Sequence, residues 1–204
     1  MKIGAVILAA GDSSRMKYKN KLLLAISGKP MIYRIVSSVI TAGFTPIHVV
    51  IGYESHQIQT AVKSQKIKTV MNKQWQTGIA GSIIAGVKSL PQTINGVAII
   101  HGDMPLLVPP TLKKLMLAFK TTRGENIIYP IFESQQGNPV LFPKSFFPHI
   151  FNISGDNGCK SILKSYPDKI FGVEIDSVEV ILDCDTREDY HYMIERERIK
   201  NFNE

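Results

Sequence analysis

Short runs rich in Val and Ile alternate with stretches whose apolar positions recur every three or four residues. The runs at 3–8, 47–52, 67–71, 97–101 and 127–131 read as strands, and the periodic stretches at 31–42, 57–63, 82–90 and 111–119 as helices. Continuous apolar strands separated by amphipathic helices predict an α/β protein: three α/β/α layers around a mainly parallel sheet covered on both faces. In such sheets ligands bind beyond the carboxyl ends of the strands.

Chain breakers agree with these boundaries. Pro30 suits the first turn of a helix, Gly43 a helix stop, and Pro109-Pro110 the start of the helix near Thr111. After residue 131 the pattern loosens. It predicts a Gly-Asn-Pro turn, a strand at 140–142, short helices around 144–151 and 158–166, strands near 170–175 and 178–182, and a charged helix from Thr186.

The stretch Leu8-Ala9-Ala10-Gly11-Asp12-Ser13-Ser14-Arg15-Met16 follows the first strand directly. Small residues there let backbone N–H groups approach an anion closely. Arg15, Lys17, Lys19, Lys21 and Lys29 fall within fifteen residues, with Asp12 opposing them, and an anionic ligand relieves that repulsion. A nucleoside triphosphate suits the pattern. Each of these residues alone is compatible with an ordinary solvated turn.

Size and charge narrow the picture. At 204 residues with 44% hydrophobic content, the chain is expected to form one domain over 1–204, with a nucleotide-binding part at about 1–105 and an acceptor-binding part at about 106–204. A net charge of +7 admits acidic partners of several kinds. No block of like charges appears, and aromatics at 8% are not interleaved with basic residues, so no nucleic acid partner is expected. Cys159 and Cys184 stand apart from any ligand-spaced His, which argues against structural zinc and a disulfide framework. The apolar run after Lys2 is too short for a signal core, and nothing approaches the roughly 18 apolar residues of a membrane span. A cytoplasmic protein without membrane contact is the expectation. A P-loop is excluded because Gly28-Lys29 is followed by Pro30, and no G-x-G-x-x-G follows a strand.

Two acidic elements carry the remaining chemistry. His101-Gly102-Asp103-Met104-Pro105 ends a strand, where Asp103 is placed either to hold Mg²⁺ or to cap the following helix. In Asp183-Cys184-Asp185-Thr186-Arg187-Glu188-Asp189, Asp185 or Thr186 could equally cap the last helix. Ahead of both, residues 72–82 form a polar, glycine-punctuated loop that includes Trp75, able to surround a base.

Taken together, Leu-Ala-Ala-Gly-x-Ser-x-Arg-Met with its following Lys, Gly-Asp-x-Pro at 102–105 and Asp-x-Asp-Thr at 183–186 resemble the MobA/MocA-like nucleotidyltransferases over nearly the whole chain. The resemblance implies a Rossmann-like fold of the nucleotide-diphospho-sugar transferase type. It also implies a Mg²⁺-dependent transfer of a nucleotidyl group to a phosphorylated acceptor. By it, Leu8, Ala9, Ala10 and Gly11 wrap the triphosphate, Arg15 and Lys21 neutralise it, and Asn72, Gly78 and Ser82 face the nucleoside, with Gly102 and Asp103 completing the nucleotide site. Arg15, Lys21 and Asp103 are the catalytic set. Asp103 and Asp183 hold the metal, with Asp185 as the alternative to Asp183. Gly137, Asn138, Pro139, Gly155 and Asp156 face the acceptor. Leu-Ala-Ala-Gly points to CTP as donor and a molybdopterin-type cofactor as acceptor, with docking to a molybdoenzyme. Other NTPs, a sugar phosphate or other phosphorylated alcohol, and a non-catalytic cofactor-delivery role are the alternatives. Lys17 and Arg187 stand where the family pattern has Gly and Pro.

Overall fold

The computed structural model describes residues 1–13 and 20–203, with side chains described through residue 199. Among these, the strands are β1 (Ile3–Ala9), β2 (Ala25–Ile26), β3 (Lys29–Pro30), β4 (Ile47–Ile51), β5 (Lys68–Met71), β6 (Gly96–His101), β7 (Ile127–Phe132), β8 (Gln135–Gln136), β9 (Val140–Pro143) and β10 (Ile170–Glu174). The helices are α1 (Met31–Ala42), α2 (Ser55–Val62), α3 (Ile79–Lys88), α4 (Pro109–Thr121), α5 (Phe147–Ile150), α6 (Lys160–Ser165) and α7 (Arg187–Asn203). The main sheet runs β10-β7-β9-β6-β1-β4-β5, with β8 paired to β7, while β2 and β3 form a small separate ribbon. β1, β4, β5 and β6 are mutually parallel and β9 runs against both its neighbours.

β1 shows how pattern becomes layer. Its Ile3, Ala5, Ile7 and Ala9 face the core under α1, α2 and α4, where Ile32, Ile35, Val39, Ile58 and Leu112 are buried. Val6 points the other way, onto Ala80, Ile83 and Val87 of α3. Each Ile or Val fully buried in these layers contributes about 1.5–3 kcal/mol. α1 stops at Gly43, whose φ of 96° is left-handed and whose N–H reaches the Val39 and Ile40 carbonyls. α7 packs outside the sheet on the β2–β3 ribbon, through Ile26, Met31, Cys184 and Met193.

β1 connects through α1 to β4 on one side of it, and β5 connects through α3 to β6 on the other. The direction of winding reverses between β1 and β6, so a crevice opens at their carboxyl ends. The expected strand at 178–182 is instead a 3-10 turn, Val178–Val180. Glu179 explains the difference, because its carboxylate turns inward to accept from the Thr111 hydroxyl at 2.6 Å and the Val108 N–H at 3.4 Å. The Val180 carbonyl accepts from Asn138 N–H at 2.7 Å, so this segment docks on a turn instead of pairing as a strand.

Among the described residues, no helix is long and apolar enough to cross a membrane.

Candidate active site

At the reversal point the two strand ends are joined. Leu8 lies in register with His101, and the Gly102 N–H donates to the Leu8 carbonyl at 3.0 Å. A Cβ on residue 102 would stand 2.6 Å from that carbonyl oxygen, so only glycine permits the approach. Asp103 is thereby held beside the 9–11 turn. The two share the wall of a cavity of about 510 Å³, a size suited to a small-molecule ligand. Leu8, Ala9, Ala10, Gly11, Gly102, Asp103, Lys21, Gly78 and Ser82 all line it. Arg15 lies outside the described residues, as do Lys17 and Lys19.

Lys21 begins a 3-10 turn, Lys21–Leu23, capped by the buried Asn20, whose side-chain oxygen accepts from Leu22 N–H at 3.1 Å. The Lys21 N–H donates to Ser13 Oγ at 3.1 Å, tying this turn to the small-residue loop. With Leu22 buried below, the Lys21 side chain projects into the cavity. Its ammonium donates to Asp103 Oδ2 at 2.6 Å and Asp185 Oδ1 at 2.7 Å. Burial alone would pull the Lys21 pKa down, but Asp103 and Asp185 outweigh it and hold the ammonium above its ordinary value.

Of the two carboxylates in the 183–185 segment, Asp185 lines the cavity and bridges to Lys21, whereas Asp183 is exposed and is not on the cavity wall. Although Asp183 as a residue is exposed, its carboxyl is partly desolvated by neighbouring atoms and lies near Asp103 and Asp185, which together hold its pKa above the usual range. Three bonds fix the backbone path that turns Asp185 inward. Cys184 N–H donates to the Asp103 carbonyl at 3.0 Å, and Asp189 Oδ2 accepts from the N–H groups of Asp185 at 3.0 Å and Thr186 at 2.7 Å. Thr186 Oγ1 returns the bond by accepting from Asp189 N–H at 3.1 Å, a reciprocal cap on α7. The Cys184 thiol between the two carboxylates is pushed up to about 12 by burial, which keeps it protonated and inert.

The 72–82 loop forms the third wall. Trp75 lines the cavity and packs against Gly52 and, at a tilt, against the Tyr53 ring 5.5 Å away. Asn72 is buried and is not on the wall: it donates to Ser82 Oγ at 3.0 Å and accepts from Gln74 N–H at 3.0 Å. It therefore braces the loop from behind. Gly78, with φ of 106°, starts α3 where Gly155 and Asp156 press against it, and the Gly155 carbonyl accepts from Ala80 N–H at 3.1 Å.

Beside Gly78, Asp156 reaches the cavity, whereas Gly137, Asn138 and Pro139 are not on its wall. Gly137 is packed tightly against Val180, and Asn138 bonds to the same residue, so this turn anchors the Val178–Val180 segment. The sequence reading did not assign Asp12, Ser13, Gln76, Ile79 and His101, which also line the cavity. Their places within or next to the motif residues were the signal available for them.

Lining carboxylates Asp12, Asp103, Asp156 and Asp185 face one lining ammonium, Lys21, among the described residues. Asp103 Oδ1 is buried and has no hydrogen-bond partner among the described residues, so a hard oxygen donor waits beside Asp185. This donor set fits Mg²⁺, which needs few protein ligands because phosphate oxygens and waters complete its octahedron.

A mainly parallel sheet with helices on both sides and a turn of small residues at the winding reversal is a Rossmann-like fold of the nucleotide-diphospho-sugar transferase type. The chain belongs to the MobA-like NTP transferase domain family, whose pattern matches residues 5–170. Among curated relatives, the bifunctional protein GlmU of Agrobacterium fabrum is 33% identical over 113 residues, covering 54% of this chain and 25% of GlmU. The chain thus spans about a quarter of the length of that relative. The nicotine blue oxidoreductase of Paenarthrobacter nicotinovorans is 23% identical over 191 residues, covering 87% of this chain and 93% of its own. Rv0371c from Mycobacterium tuberculosis H37Rv superposes with a TM-score of 0.85 at 23% identity, over 96% of this chain and 98% of its own, and has also been solved with manganese. CMP:2-keto-3-deoxy-manno-octonic acid synthetase complexed with CTP superposes with a TM-score of 0.79 at 14% identity, over 98% of this chain and 100% of its own.

Proposed function

We propose that this chain transfers a nucleotidyl group, CMP from CTP, to the phosphate of a molybdopterin-type acceptor with release of pyrophosphate. One observation carries this reading: Lys21, Asp103 and Asp185 converge on one point in the cavity where β1 and β6 end.

The triphosphate lies along Leu8–Gly11, with its charge met by Lys21 and Arg15. Asp103 and Asp185 would hold Mg²⁺, and we favour Asp185 over Asp183 because Asp185 faces the cavity. A divalent ion bound there would supply charge neutralisation to the phosphates. An oxygen of the acceptor phosphate attacks the α-phosphorus in line. The new P–O bond forms as the bond to the β-phosphate bridge breaks, and pyrophosphate carries away the electron pair. The attacking oxygen is already anionic, so no general base is required, and positioning with charge neutralisation supplies the catalysis. The 72–82 loop holds the nucleoside, with Gly78 and Ser82 on the wall and Asn72 bracing them. The acceptor enters past Gly155 and Asp156, while the 137–139 turn supports that side.

Cytidine is favoured by the Leu-Ala-Ala-Gly turn and by the likeness to a synthetase solved with CTP. The manganese complex of Rv0371c supports a divalent ion in this fold.

The test is pyrophosphate release with Mg²⁺, each NTP in turn, and either molybdopterin or a panel of sugar phosphates. CTP-selective release with molybdopterin supports the proposal. Release with a sugar phosphate alone reassigns the acceptor, and tight cofactor binding without turnover assigns a delivery role. Substrate oxidation or reduction without pyrophosphate release, the class of chemistry that one relative's name as an oxidoreductase suggests, contradicts it.

A further inference from the structure

Lys21 stands where a cation between two carboxylates belongs. Its ammonium is 2.6 Å from Asp103 Oδ2 and 2.7 Å from Asp185 Oδ1, so it spans two loops 82 residues apart in the chain. Both carboxylates lie on the cavity wall, and Asp103 keeps its other oxygen buried without a hydrogen-bond partner among the described residues. One lysine cannot serve both ends of the reaction at once. While it bridges the acids it occupies the point between them that a metal would use, and while it binds phosphate it leaves them.

We propose that Lys21 is a placeholder: it holds Asp103 and Asp185 together in the nucleotide-free protein and yields them to a divalent ion only when a triphosphate draws its ammonium away. This rests on the reading of the cavity as a metal–triphosphate site and adds to it an order of events. Metal alone binds poorly, and metal and nucleotide enter together.

The anchoring of Lys21 suits the exchange. Its backbone is fixed, through the Ser13 hydroxyl at 3.1 Å and the Asn20-capped turn, to the same loop that meets the phosphates. The long, flexible side chain can therefore swing while its root stays in place. In the absence of any cation, Asp103 and Asp185 would repel, so the bridge also preserves the site's shape between turnovers.

The experiment measures Mn²⁺ binding by electron paramagnetic resonance, without nucleotide, in wild type, K21M and K21R, with circular dichroism reporting the fold. Wild type should bind Mn²⁺ alone weakly and K21M at least about tenfold more tightly, the loss of a competing cation showing directly in affinity. K21R, which can still bridge two carboxylates, should stay near wild type. The K21M gain should persist between 50 and 500 mM KCl, about the range over which distant charge effects are screened. Equal Mn²⁺ affinity in wild type and K21M overturns the placeholder, as does wild-type binding of Mn²⁺ alone as tight as with CTP present. If K21M does not fold, that wild-type comparison decides. The underlying reading fails separately: D103N binding Mn²⁺ with CTP as well as wild type would remove the site itself.

Discussion

The amide of Gly102 is bonded to the carbonyl of Leu8 at 3.0 Å, so that the ends of β6 and β1 are joined where the sheet reverses its winding. That bond brings Asp103 to the 9–11 turn, and everything in the cavity is built around it.

Gly102→Ala tests the junction. Its Cβ would meet the Leu8 carbonyl oxygen at 2.6 Å, and backbone cannot yield as a side chain does. We expect a loss of about 1–3 kcal/mol in urea unfolding and a larger proportional loss of kcat, because Asp103 shifts with the strand end. Unchanged stability and turnover would show that the strands separate there at little cost.

Asp185 and Asp183 separate by substitution. Asp185→Asn should lower kcat by about 10²-fold or more and raise the Mg²⁺ concentration needed for half-maximal activity. Asp183→Asn should change both by a small factor, since Asp183 is exposed and off the cavity wall. The reverse ranking would move the metal to Asp183.

Asn72→Ala should act from behind the pocket. It removes a buried donor to Ser82 Oγ and an acceptor for Gln74 N–H, which predicts a stability loss of about 1–3 kcal/mol and a raised KM for the nucleotide with a smaller effect on kcat. Nucleotide titrations and initial rates measure both.

His48 gives a pH dependence far from the cavity. Only 5% exposed, it is held below its ordinary pKa by burial and then by Lys68, and its Nδ1 lies 2.6 Å from Ser89 Oγ. The Ser89 hydroxyl donates to the Gly86 carbonyl at 2.6 Å, so Nδ1 carries the proton and donates to Ser89. The unfolded chain therefore binds a proton that the folded one refuses. Stability is full above the unfolded histidine pKa of about 6.5 and falls as pH drops toward the folded value. Urea midpoints between pH 7.5 and 5.5 should decline in wild type and decline less in His48→Asn.

The fold was readable because β1, β4 and β6 are apolar along their length and α1 repeats Ile32, Ile35, Val36 and Val39 on one face. Asp103 could be placed at a strand end from the same pattern, whereas the role of Lys21 came from the family resemblance. Choosing between Asp183 and Asp185 could not be done so, since two alternating acids point differently only once the Cys184 and Asp189 bonds set the backbone. Val178 to Leu182 looked like a strand because its apolar residues are continuous but for Glu179, and only the distant Thr111 hydroxyl reveals why that glutamate turns inward. Asn72 and the 137–139 turn carry family-like residues whose side chains or backbone brace neighbouring segments, a distinction that spacing along a chain does not contain.

A crystal structure with Mg²⁺ and CTP tests the central claim most directly. The account predicts triphosphate density against the Ala10 and Gly11 amides, a metal between Asp103 and Asp185, and the Lys21 ammonium moved onto a phosphate oxygen. Nucleotide bound away from the β1–β6 crevice, or a metal with neither aspartate as a ligand, would contradict it.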